Sequence, residues 1–214
     1  MLHASLQQQS GDARGNMQQQ RGMKFMLRLC PERPLPPYSY VPGHLPHPIS
    51  DPAGHSYGLH AISQGEVQQR PVASISLVFG WLGCPDYLFG IDLFNHGFYW
   101  EAHETWEQVW IACGRSGREA DFLKGLIKLA AAGVKLREGR PIGVQRHASR
   151  ARELFQLVSE NLSDGLTAHL GGLDLRTLCE AAEKISINTN CVVDEFDDRL
   201  TAAFTLILLP KDFE

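Results

Sequence analysis

Cysteine is sparse and scattered in this chain: five residues, at positions 30, 84, 113, 179 and 191, with no C-x-x-C pair among them. That spacing argues against a structural zinc ribbon, and the odd, dispersed set fits reduced thiols in a cytosol rather than a disulfide framework. Also missing is a long apolar run. The longest apolar-looking uncharged stretch, residues 71–85, has 15 residues broken by glycines and serines, where roughly 18 or more are needed to span a bilayer. No transmembrane helix and no membrane partner are therefore expected. The segment MKFMLRLC at 23–30 is interrupted by Arg28 and followed by prolines, which makes a poor secretory signal and leaves a cytoplasmic location as the expectation. The chain has no glycine-rich phosphate loop, no dinucleotide-binding fingerprint and no G-x-S-x-G elbow, so those kinds of cofactor and serine chemistry have no support.

What is present fits one domain with extensions: 214 residues and 43% hydrophobic content allow a core of ordinary size. Residues 1–30 are expected to be a disordered tail, since the glutamine-rich stretch up to 22 has few apolar residues and no period. Residues 31–85 form a Pro/His-rich arm and linker; within 31–60 stand eight prolines and four histidines, favouring extended conformation and turns such as Pro42-Gly43. Ser74 to Trp81 alternates weakly like a strand but has no partner run. Residues 86–190 are the helical domain, and 191–214 an acidic, then apolar segment expected to pack back as an extended piece or short helix.

The helical punctuation is clear after Pro85. Asp86 is placed to cap a first helix that stops at Asn95-His96-Gly97, and a second runs from near Phe98 to Cys113 before a turn at 114–117. A third, 118–138, aligns Phe122, Leu126, Leu129, Gly133 and Leu136, with Lys124, Lys128 and Lys135 opposite. Gly125, Ala132 and Gly133 invite close approach by a neighbour. The fourth begins with Pro141 and repeats Val144, Ala148, Ala151, Phe155, Val158 and Leu162; Asp174 caps a fifth, 175–186. The fold expected is all-α, a compact bundle of four to five antiparallel helices carrying an irregular N-terminal arm.

The second helix carries the chemistry. In LFNHGFYWEAHETWEQVW, residues 93–110, a turn of about 100° per residue puts Tyr99, Trp106, Glu107 and Trp110 within about 60° of His103. Glu104 flanks this face, and Glu101 and Gln108 fall on the far side, so the three carboxylates are not expected to converge from this helix alone. Glu101, in the first turn, needs no role beyond complementing the helix dipole. Polar groups among aromatics must be paired. One reading makes Glu101, His103, Glu104, Glu107, Tyr99, Trp106 and Trp110 a structural or ligand-binding polar cluster, with each indole N–H finding an acceptor. Another makes His103, Glu104 and Glu107 ligands of a divalent metal ion, with a further donor from His96 or His147; H-E-x-x-E lacks the second histidine of the zinc-protease motif.

Weaker candidates exist. His44, His47, His55 and His60 could hold a soft metal, although a solvated arm wrapping the domain is the simpler reading. Residues 114–152 hold ten Lys/Arg against three acids, and 153–214 hold four against twelve. Arg146 and Arg150, one turn apart with Arg140, His147 and Arg152 near, could hold a phosphate; a solvated helix face paired with the acidic tail accounts for the same residues.

These residues, FNHGFYWEAHETWEQVW followed by FLKGLIKLAAAGVKLREGRPIGVQRHASRARELF, resemble the domain of unknown function 309 over roughly residues 87–160. The resemblance implies a compact all-α domain of packed antiparallel helices and no established reaction. It puts the signature polar positions at Glu101, His103 and Glu104, with Trp110 and Gly125 as structural marks; Lys128 stands where many relatives carry glutamine. Three functions remain: a non-catalytic module binding a small molecule or protein, a metal-dependent hydrolase using His103 and nearby Glu residues, and a polyanion binder acting through 118–152. Nucleic acid is the least favoured partner, and a second copy of the chain stays open.

Overall fold

The computed structural model describes residues 28–58, 80–161, 169–188 and 202–211. The expectations for the tail at 1–22, for the alternation at 74–79, and for His60, Leu162 and Cys191 lie outside them. A single 3-10 turn, Trp81–Gly83, leads into α1 (Pro85–Asn95), α2 (Tyr99–Ala112), α3 (Arg118–Arg137) and α4 (Pro141–Glu160). A two-stranded antiparallel hairpin follows, β1 (His169–Leu170) and β2 (Leu173–Asp174), then α5 (Leu175–Ile187).

The elements begin and end for local reasons. Pro85 occupies the first turn of α1, where its missing N–H costs nothing, so Cys84 rather than Asp86 is the N-cap; Asp86 instead pairs with Arg33 at 2.8 Å. Gly97 takes φ 84°, and the Phe98 amide reaches back to the Leu93 carbonyl at 2.8 Å, closing the helix with a left-handed residue. Asp174 caps α5 by accepting the Thr177 amide at 2.6 Å. The hairpin was not anticipated. Its signal is Gly171-Gly172, both at positive φ (61° and 79°), as a two-residue turn between right-twisted strands requires.

Successive helices pack pairwise, α1 on α2, α2 on α3, α3 on α4 and α4 on α5; Phe122, Leu126, Leu129 and Leu136 of α3 are all buried, as are Val144, Ala148, Ala151, Phe155 and Val158 of α4. Among the described residues the bundle is helical apart from the small hairpin. At Gly125 and Gly133 the close neighbours are rings: a Cβ there would overlap Phe155 and Tyr99 respectively. No described helix is long and apolar enough to cross a membrane.

Every residue of α1 from Tyr87 to Asn95 is buried, so its two interior polar side chains must find partners within the protein. Asp92 accepts the amides of Leu29 and Cys30, both at 2.8 Å. Asn95 mimics a strand, donating to the Leu208 carbonyl and accepting the Leu208 amide, both at 2.8 Å. Together they tie an N-terminal segment and a C-terminal segment to one helix. The segment 202–210 packs back in irregular conformation, burying Phe204 and Leu208.

Candidate functional site

Helix α2 buries Tyr99, Glu101, Ala102, Trp106 and Val109. The buried face is thus turned away from the one expected: Glu101, read as lying on the far side, is 5% exposed, while His103, Glu104 and Glu107 stand half-buried at its flank. The cause is the arm. Tyr40 donates its amide to Glu101 Oε1 at 2.8 Å, the Ser39 hydroxyl lies 3.4 Å from Oε2, and His55 Nε2 stands 3.3 Å from Oε1. These partners come from 46 to 62 residues away in sequence, beyond the reach of helical periodicity.

The aromatic residues divide. Tyr99 Oη accepts the amides of Ala203 and Phe204 at 2.8 and 3.2 Å, and Trp106 donates to the Tyr87 carbonyl at 3.1 Å. Trp110 does not follow: its buried indole N–H has no acceptor among the described residues. Its ring instead faces the Arg115 guanidinium and the Lys124 ammonium, 5.8 and 5.9 Å from the centroid.

His103, Glu104 and Glu107 each offer a ligand atom, and these atoms all lie within 4.8 Å of one another. Two carboxylates therefore do meet at the histidine, with Glu101 one turn behind them on the arm side. Among the described residues neither Glu104 nor Glu107 accepts a hydrogen bond or forms an ion pair. Burial raises the Glu104 carboxyl above the usual range, and the charges of Glu107 and Glu101 add to it. For His103, burial lowers the imidazole and Lys128 reinforces that, outweighing Glu107 and a hydrogen bond to the Ile127 carbonyl. Such an imidazole is neutral at physiological pH and has a lone pair to offer.

Of the two further donors considered, His96 turns away, its Nδ1 2.7 Å from the Asp92 carbonyl oxygen. His147 faces the triad's surroundings: burial lowers its pKa, and Lys128, Lys135 and His103 push the same way against Glu138. The arm histidines join no ligand group among the described residues. His47 Nδ1 accepts the amides of Ile49 and Ser50 at 3.2 and 3.3 Å, and His55 serves Glu101. Arg150 pairs with Glu153 at 2.6 Å, whereas Arg146 lines a groove with Lys135, Arg140 and His147. Sequence reasoning missed Asp92, Asn95 and Ser39. A readable signal for the first two was a polar residue inside the otherwise apolar run LFGIDLFN.

Residues 87–147 match the family model described as Domain of unknown function (DUF309). That span runs from the first turn of α1 to the first turns of α4 and contains the whole triad. No curated protein matches the chain.

Proposed function

We propose that the DUF309 segment of this chain is a binding module rather than an enzyme, and that its site is the half-buried flank of α2, where His103, Glu104 and Glu107 take one divalent transition-metal ion. The observation that carries the reading is the convergence of three donor atoms within 4.8 Å while both carboxylates lack protein partners among the described residues. Two negative charges half out of water need a cation. Donors on one ion, with bonds of about 2.0–2.2 Å, sit roughly 3.3 Å apart. Closing from 4.8 Å is within the reach of glutamate rotamers. One imidazole with two carboxylates suits zinc, manganese or iron(II) better than calcium, which prefers oxygen alone.

A binding role is favoured over catalysis because the other buried acids and hydroxyls nearby are already engaged in architecture: Glu101 and Asp92 hold the arm, and Tyr99 holds the C-terminal segment. The free thiols of Cys30, Cys84, Cys113 and Cys179 support a reducing, cytoplasmic compartment. The test is calorimetric titration of chelator-treated protein with Zn²⁺ and Mn²⁺. One ion should bind per chain, and His103→Ala or Glu107→Gln should weaken it by more than about tenfold. No binding of either ion, or unchanged affinity in both variants, overturns the proposal.

A further inference from the structure

A groove of about 690 Å³ is lined by Lys135, Arg140, Ile142, Arg146 and His147 among others, a volume typical of small-molecule sites. Its charge is one-sided. Glu138 is the shared counter-ion of Lys135, at 2.8 Å, and of Arg140, at 3.1 Å. Arg146 has no ion pair among the described residues. Three cations against one carboxylate leave a surplus of two positive charges. One wall is apolar, since Ile142 is 66% exposed. The Lys135 stem runs so close over Gly143 that a Cβ there would come within 2.9 Å of it.

Groove and triad share neighbours. Lys128 acts on both imidazoles, and His147, which lines the groove, interacts with His103 of the triad. An ion held by three protein donors keeps open positions that oxygen ligands fill. An ion held by His103, Glu104 and Glu107 would therefore have coordination to spare for a ligand drawn by the two unbalanced positive charges of the groove.

We infer that the ligand of this module is a phosphate-bearing small molecule whose dianionic group lies among Lys135, Arg140, Arg146 and His147 and whose oxygens reach the ion at His103, Glu104 and Glu107. The inference rests on the metal reading above. A phosphate monoester carries about −1.5 to −2 charges at neutral pH and matches the surplus of two; a carboxylate or sulfate ester brings one. Bidentate contact to a guanidinium adds geometric selectivity for such oxyanions.

Phenyl phosphate is the probe, with phenyl sulfate as its singly charged analogue, titrated into the chelator-treated full chain with and without saturating Mn²⁺. Phenyl phosphate should bind about tenfold tighter than phenyl sulfate, and Mn²⁺ should strengthen it further. Arg146→Ala, an exposed substitution, should weaken phenyl phosphate by about tenfold and leave Mn²⁺ affinity unchanged. Equal affinity for the two esters, or for wild type and Arg146→Ala, overturns the inference while Mn²⁺ binding still stands. Mn²⁺ that fails to bind at all sinks the metal reading, and with it the bridged ligand, even if phenyl phosphate binds the groove.

Discussion

Glu101 and Glu104 sit three residues apart on one helix, yet their removal should have opposite consequences. Glu101→Ala takes the acceptor from the Tyr40 amide (2.8 Å) and from His55 (3.3 Å), while the Ser39 hydroxyl keeps its 3.0 Å bond to the Gly97 carbonyl. Hydrogen bonds to a charged group contribute about 1.5–3 kcal/mol each, the longer one less, and relief of the buried carboxylate's desolvation offsets part of the loss. The net cost is about 2–4 kcal/mol, a fall in melting temperature of roughly 5–15 °C for a domain of this size. Glu104→Gln breaks no hydrogen bond or ion pair among the described residues and relieves a carboxylate that burial and two like charges disfavour. In metal-free buffer it should therefore be neutral or stabilising, within about 0.5 kcal/mol. Urea unfolding of both variants in chelator, with hydrogen exchange at the Tyr40 amide, checks this. Equal destabilisation by the two substitutions, or Tyr40 protection untouched in Glu101→Ala, would refute the assignment of Glu101 as the arm's anchor.

Two further outcomes follow from the packing and the caps. Gly133→Ala gains about 1 kcal/mol of helix propensity, but its Cβ meets the Tyr99 ring, and overpacking costs about 1–3 kcal/mol. A net loss of stability is expected, and because Tyr99 Oη holds the amides of Ala203 and Phe204, limited proteolysis should cut the C-terminal segment faster; an unchanged digestion pattern would contradict the contact. For Asp174 burial alone would raise the carboxyl, but bonds from Thr177 and the nearby His169 and Arg176 outweigh it and leave the group below its usual range. Its contribution is thus present above the ordinary aspartate range and lost as pH falls through the lowered value. Asp174→Ala should cost about 0.5–2 kcal/mol at neutral pH, and the gap from wild type should narrow in acid; a gap that stays constant down to pH 2, the region of about two units below the reference value, would argue against an ionised cap.

Much of this architecture is written locally. Proline at 85 and 141, glycine at 97 and the acid at 174 mark helix ends through backbone geometry that needs no distant partner, so the order and bounds of the helices follow from residues near each terminus. The apolar stripe of α4 is legible for the same reason, being a property of 3.6-residue periodicity. His103, Glu104 and Glu107 could likewise be singled out, since positions i, i+1 and i+4 of one helix are neighbours by construction. Which side of α2 faces inward is another matter. Periodicity centred the face on His103, but the arm residues 39, 40 and 55 cover Glu101 instead, leaving the histidine at the flank. Trp110 lacks the acceptor its indole was expected to find, and Arg146 parts from Arg150 to face Lys135 and His147 across α3 and α4. Sequence alone determined the helices and the triad they carry. Only the tertiary structure decided which polar groups are spent on holding the arm and which remain open, because burial and pairing depend on segments 46 to 113 residues away, and the chain's local preferences hold no information about them.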